Sequence, residues 1–149
     1  MNNLELISVS QNHFPEIVQM MADFYAIDGY PFDKDSKEII IQTLIQNEDL
    51  GKLWLIKIDE KIAGYVCLTY GFSLEYGGKT ALLDELFLKS DFRKQGLGQK
   101  IITYIENYLK KTEVKSLQLE VESHNENAKK LYFNNGFYTA NRTLLTKKI

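Results

Sequence analysis

Two adjoining stretches of this chain carry residue types that can do chemistry. The first is an apolar run over residues 82–88 with adjacent carboxylates at its centre, Asp84 and Glu85, between Leu82-Leu83 and Leu86-Phe87-Leu88. Acids framed by apolar side chains are candidates for proton exchange, because burial raises a carboxyl pKa toward the useful range. The second is Ser90-Asp91-Phe92-Arg93-Lys94-Gln95-Gly96-Leu97-Gly98-Gln99-Lys100, a short basic loop that opens directly into a helical pattern. A helix N-terminus offers free backbone N–H groups and the positive end of the dipole, which suit a phosphate or pyrophosphate. An ordinary strand-to-helix turn, with glycines for tightness, accounts for the same loop equally well.

The elements that must position these groups follow from periodicity. Residues 4–9 read as a short strand, and Phe14, Ile17, Val18, Met21, Phe24 and Tyr25 fall on one helical face with Pro15 in the first turn. Asp28-Gly29-Tyr30-Pro31 ends that helix, and Asp35-Ser36-Lys37-Glu38 has the form of a capping box opening a second one. From Lys52 the period becomes that of strands: residues 53–58 and 62–70 form a hairpin, 71–78 a loop, and 79–88 a third strand. A helix from Gly98 to about Lys111 carries Ile101, Ile102, Ile105 and Leu109 inward. Residues 116–122 alternate as a strand, residues 127–134 form a short helix stopped by Gly136, and 137–149 finish as one or two strands. The order β-α-α-β-β-β-α-β-α-β(-β) predicts a single mixed α/β domain over residues 1–149.

Composition narrows the function classes. The chain has 149 residues, 44% apolar and 26% charged, with a net charge of −2, as expected of one globular domain with a real core. The charge is uneven: residues 1–50 carry two basic against nine acidic side chains, and the remainder sixteen against eleven. That distribution suits a C-terminal part that meets a polyanion and an N-terminal part that meets a cation. No basic run is dense enough for a nucleic-acid footprint, no apolar stretch is long enough for a membrane span, and no signal-peptide pattern opens the chain. No nucleic acid, membrane or metal is therefore expected, and a cytoplasmic location is the default. The lone Cys67 lies in an apolar run without electropositive neighbours, which predicts a packing role.

Two familiar phosphate-binding signatures fail on this loop. A Walker A loop needs Lys-Ser/Thr after its last glycine, but Gly98 is followed by Gln99-Lys100-Ile101. A dinucleotide fingerprint needs a third glycine where Ile101 stands, and an immediate turn where seven residues, 89–95, intervene.

What remains, Arg93-x-x-Gly96-x-Gly98, resembles the cofactor loop of the GNAT superfamily of acetyl-CoA-dependent N-acetyltransferases. A second block strengthens the resemblance. Asn125-Glu126-Asn127-Ala128-Lys129-Lys130-Leu131-Tyr132-Phe133-Asn134-Asn135-Gly136-Phe137 fits that family's N-x-x-A-x-x-L-Y-x-x-x-G-F pattern at every fixed position. The resemblance covers residues 79–137 by motif and the whole chain by element order. It implies a GNAT fold, with a mostly antiparallel sheet splayed between its fourth and fifth strands, and acetyl-CoA as acyl donor.

The resemblance also implies roles. Arg93, Lys94, Gln95, Gly96, Leu97, Gly98 and Gln99 would hold the pyrophosphate of coenzyme A, and the main chain of Leu86, Phe87 and Leu88 the pantetheine arm, with Asn125 and Lys130 as further contacts. Tyr132 would protonate the departing thiolate, and the Leu86 N–H would steady the oxyanion. Adjacent strand residues point to opposite faces, so one carboxylate is expected in the cleft; Glu85 is favoured over Asp84 as the base, through a water if needed, and a carboxylate that binds the substrate ammonium without moving protons is the alternative. The acceptor side would be built by Tyr30, Phe32, Asp33, Glu75 and Tyr76 together with Glu85. These acidic and aromatic residues suit a cationic amine: a polyamine, an aminoglycoside, an amino acid, or a peptide or lysine amine. A non-catalytic acyl-CoA-binding module on the same fold is the alternative, a nucleotide-binding protein a third. A homodimer through residues 137–149 is a further expectation of the resemblance.

Overall fold

In a computed structural model, which describes residues 3–149, five strands form one sheet in the order β1-β2-β3-β4-β5. The strands are β1 (Leu4–Ser8), β2 (Gly51–Ile58), β3 (Lys61–Ser73), β4 (Gly78–Leu88) and β5 (Ser116–Leu119), and the helices α1 (Phe14–Ile27), α2 (Lys34–Gln46), α3 (Leu97–Lys110) and α4 (Glu126–Asn134). Neighbouring strands are antiparallel except β4 and β5, which are parallel and joined through α3. A parallel pair needs such a crossover.

Strand alternation divides the core into two layers. Trp54, Ile56, Ile58, Val66 and Leu68 point to the face covered by Leu97, Ile101, Ile105 and Leu109 of α3. Leu53, Leu55, Tyr65 and Cys67 point to the opposite face, covered by Ile17, Val18, Met20 and Met21 of α1 and Ile41 of α2. Helices α1, α2 and α3 are thus each held by an apolar face.

Three boundaries differ from expectation. Helix α2 begins at Lys34 behind Asp33, two residues ahead of the predicted cap, and Ser36 spends its hydroxyl on the Asp33 carbonyl at 3.2 Å. The loop expected over 71–78 shrinks to a turn over 74–77, since β3 and β4 stay paired out to Ser73 and Gly78. The terminal strands expected over 137–149 do not form. Gly136 adopts a left-handed φ of 87° and the Phe137 N–H bonds back to the Tyr132 carbonyl at 3.2 Å, which turns the chain off α4. A turn at Ala140 and Arg142 then interrupts any alternation, and Tyr138, Leu144 and Leu145 are exposed.

Two glycines in the sheet, Gly51 and Gly64, have no room for a Cβ against the neighbouring strand's backbone. A Cβ on Gly64 of β3 would stand 1.9 Å from the Phe87 carbonyl oxygen of β4. Because that obstacle is backbone, Gly64→Ala must shift a strand; overpacking of this kind costs about 2–3 kcal/mol. The expected result is a melting temperature lower by roughly 5–10 °C, and an unchanged thermal melt would refute the tight approach.

Candidate functional site

The geometry of the site starts with an extra residue in β4. Cys67 of β3 pairs with Glu85 and Leu68 pairs with Leu83, so Asp84 has no partner and the ladder is bulged there. The bulge resets the alternation. Ala81 and Leu83 face the α3 layer, yet beyond the bulge Phe87 faces the α1–α2 layer. Asp84 and Glu85, expected on opposite faces, therefore share one face and one cleft.

Their surroundings separate them chemically. The Glu85 carboxylate accepts from the Tyr25 hydroxyl at 2.6 Å and the Tyr65 hydroxyl at 2.7 Å, one on each oxygen. Burial and this anionic neighbour push both phenols well above their ordinary pKa. The Lys37 ammonium donates to the same Tyr25 oxygen at 3.0 Å. Asp84 carries no such pair of tyrosines; the residue is exposed at the cleft mouth, partial desolvation by the surrounding walls raises its pKa, and the Lys37 charge opposes the rise. Beside them, burial first and then the two carboxylates push the Cys67 thiol up to about 12, so it is neutral at physiological pH.

Below Asp84 the β4 edge opens. The β4–β5 ladder runs only from Thr80–Ser116 to Leu83–Leu119. The expected strand over 116–122 stops there, and Glu120, Val121 and Glu122 diverge to line a cleft of about 790 Å³. Main-chain direction on the β4 side can be read from two bonds. Lys89 N–H donates to the Ala63 carbonyl on β3, whereas the Leu88 carbonyl accepts from Arg93 Nε at 2.7 Å on the other side. Since N–H and C=O groups alternate edges along a strand, Leu86 and Leu88 present their main chain to the cleft and Phe87 does not. The Phe87 ring is buried, with the Arg93 guanidinium 5.4 Å over it.

At the end of the cleft the loop enters α3. Gly96 sits at the helix N-cap in a left-handed φ of 75°, Lys94 shares that region at 61°, and no side chain caps the helix. The first-turn N–H groups are thus left for an anion, beside exposed Arg93 and Lys94. Gln95 bonds within the loop to the Asp91 carbonyl. Gln99 is occupied elsewhere: its amide pairs with that of Asn135, tying α3 to α4. Gly98 lies against α4, where a Cβ would meet the Leu131 side chain at 2.8 Å, so its smallness serves helix packing.

Helix α4 supplies the remaining wall. Asn125 Oδ1 caps it by accepting from the Ala128 N–H at 3.1 Å. Tyr132, on the next turn but one, lines the cleft with its ring against Phe137 at 5.7 Å, and burial raises its pKa. Lys130 is exposed on the outer side.

Of the residues expected to meet an acceptor, Tyr30 reaches the cleft and donates its hydroxyl to Glu122. Near it, His124 Nε2 meets Asp28 Oδ1 at 3.1 Å, so two contacts bridge the α1–α2 loop to the β5–α4 segment. Phe32 packs edge-on against Tyr25 at 5.5 Å, and Asp33 stands at the start of α2. Glu75 and Tyr76 do not line the cleft. They occupy the tip of the β3–β4 hairpin, roughly 20 Å along the strand from Asp84, where Glu75 pairs with Arg142 at 2.9 Å.

The sequence reading missed Tyr25, Tyr65 and Lys37. A signal existed for Tyr65: a tyrosine inside a fully apolar strand needs an acceptor for its hydroxyl, and Glu85 is the acid one strand away. Lys37 gave none, because a lysine in a first helical turn is ordinary surface.

Comparisons with known proteins bear on the family and the fold. The model of the acetyltransferase (GNAT) family matches residues 15–137. An uncharacterized N-acetyltransferase of Lactobacillus delbrueckii subsp. lactis is 24% identical, over 91% of this chain and 85% of that protein. An integron cassette protein from the mobile metagenome of Cole Harbour Salt Marsh superposes with a TM-score of 0.84 at 28% identity, covering 97% of this chain and 90% of its own. A possible acetyltransferase from Clostridium difficile 630 superposes with a TM-score of 0.84 at 19% identity, over 100% and 98% of the two chains; at that identity the likeness is one of fold. Among the described residues, no helix is long and apolar enough to cross a membrane.

Proposed function

Because the chain belongs to the acetyltransferase (GNAT) family, we propose that it transfers the acetyl group of acetyl-CoA to a primary amine by direct attack. The observation that carries this reading is the bulge, which sets two carboxylates at the head of a cleft whose other end is an uncapped, basic helix N-terminus.

The residues present fit coenzyme A. The α3 N-terminus with Arg93 and Lys94 suits a diphosphate. The open β4 edge at Leu86 and Leu88 suits the amides of a pantetheine arm, which need main-chain partners. The thioester supplies the activated acyl group. Each remaining step belongs to the chain. Asp84, raised by burial and free of the tyrosine pair, takes the ammonium proton, directly or through a water. This moves the role of base away from Glu85, whose two oxygens are both engaged; Glu85 instead holds Tyr25 and Tyr65 and adds negative charge where the ammonium arrives. The Leu86 N–H steadies the developing oxyanion. As the C–N bond forms and the C–S bond breaks, Tyr132 gives its proton to the leaving thiolate, and the proton lost by the new amide nitrogen balances it. The neutral Cys67 thiol is no nucleophile, which favours direct attack over an acylated enzyme.

The test is thiol release from acetyl-CoA across a panel of primary amines, with the acetylated product identified by mass. Turnover with at least one amine class is the expected outcome. Tight coenzyme A binding without thiol release for any amine would leave a binding module instead.

A further inference from the structure

A second cavity, of about 440 Å³, lies between α1, α2 and the sheet. Its walls are Met21, Ile40, Ile41, Leu44 and Leu53, and its polar contributions besides the site residues are few: Thr43, Thr69 and Lys37. It touches the cleft only at Tyr25, Asp84 and Glu85, which line both spaces. The carboxylate pair is thus a partition: a molecule seated in the second cavity meets it from one side, and a molecule in the cleft from the other.

We infer that this cavity holds the body of the acceptor, and that the preferred acceptor is a monoamine on an apolar aliphatic or aromatic group; the inference rests on the acetyl-transfer reading above. Charge and solvation both point this way. The acceptor's single ammonium is matched by Asp84 and Glu85 at the partition. With Asp84 and Glu85 taken up by the first ammonium, the other charged group lining the space is the Lys37 ammonium, held 3.0 Å from the Tyr25 hydroxyl and 4.6 Å over the Tyr25 ring, so a second ammonium on the same molecule would meet a like charge and no further carboxylate. A polyamine is therefore repelled. An aminoglycoside would exchange its water for a wall of aliphatic side chains, with two threonines to replace many hydrogen bonds. An apolar body loses nothing there and gains its burial, roughly fourfold in affinity per methylene. The volume falls within the range of small-molecule pockets.

The experiment measures binding and turnover separately, with propylamine, hexylamine, phenethylamine and spermidine, in the presence of coenzyme A for calorimetry and acetyl-CoA for thiol release. Phenethylamine and hexylamine are expected to bind at least thirtyfold tighter than propylamine, and spermidine more weakly than either. Thr69→Phe, which fills the cavity from β3, is expected to weaken phenethylamine at least tenfold while leaving acetyl-CoA affinity unchanged. Ile40→Trp fills it from the exposed side of α2 and replaces Thr69→Phe if that variant does not fold. Equal affinity for propylamine and phenethylamine, preference for spermidine, or indifference to both filling variants would overturn the inference. Phenethylamine binding that these variants abolish, without acetylation of any amine, would uphold the cavity assignment and sink the acetyl-transfer reading.

Discussion

Replacing Tyr132 by phenylalanine is expected to lower kcat by roughly 10²–10³-fold, the usual worth of a positioned general acid, with KM for acetyl-CoA within about threefold of the parent. The split follows from geometry. The ring stays packed against Phe137, so the cleft keeps its shape, and only the hydroxyl at its wall is lost. Burial keeps that phenol neutral, so it can donate throughout the physiological range. The decisive measurement is the dependence on leaving group. An acyl donor with a more acidic thiol needs less protonation, so it should recover part of the lost rate in Tyr132→Phe and gain little in the parent. A variant with parental kcat, or one that simply loses acetyl-CoA affinity, would remove Tyr132 from the proton path.

Asp84→Asn is expected to lose activity and gain stability at once. As the proposed base, Asp84 supplies the acid limb of the kcat/KM profile, shifted upward from the group's ordinary position because desolvation raises its pKa against the opposing Lys37 charge. The asparagine variant should turn over at least 10²-fold more slowly and lack that limb. The stability sign follows from linkage. A raised folded pKa means the native state binds the proton more tightly than the unfolded chain, so stability falls as pH climbs from the unfolded pKa of about 3.9 through the folded one, and stays lower above it. Asparagine carries no such penalty. Its melting temperature should exceed that of the parent at pH 7, and the difference should vanish near pH 3. A destabilised variant at pH 7, or one with the parental rate profile, would return the role of base to Glu85.

Much of the architecture was legible because local and tertiary signals coincide. The α3 stripe of Leu97, Ile101, Ile105 and Leu109 reads as a helix by period and is buried as one. The hairpin of β2 and β3 reads from two apolar strand-like runs on either side of the turn at Asp59-Glu60-Lys61. Pairing was the illegible part. Asp84 and Glu85 stand out as acids in any reading, but their shared face depends on which β3 residue lies opposite, and Cys67 and Leu68 carry no mark of a skipped partner. The same holds for 137–149, whose apolar residues suggest a strand although none forms and β5 ends the sheet. Lys37 became part of the site because the α1–α2 packing brings it over Tyr25, a contact that twelve residues of sequence do not announce. Gly98 lines the cleft, and its lack of a Cβ also makes room for Leu131 of α4, a packing demand that the loop motif does not announce.

If Asp84 were excised, the strand around it would read as an uninterrupted alternation: Ala81 and Leu83 to one side, Glu85 and Phe87 to the other, with Leu86 and Leu88 continuing the first. Every flanking contact is already that of a regular strand. The proposed proton acceptor therefore sits on the one residue at this point of β4 that the ladder leaves unpaired, and the packing residues on either side keep the places a regular strand would give them. A fold that can take on a reactive group by lengthening one strand by a single unit has a route to new chemistry that leaves its core composition untouched.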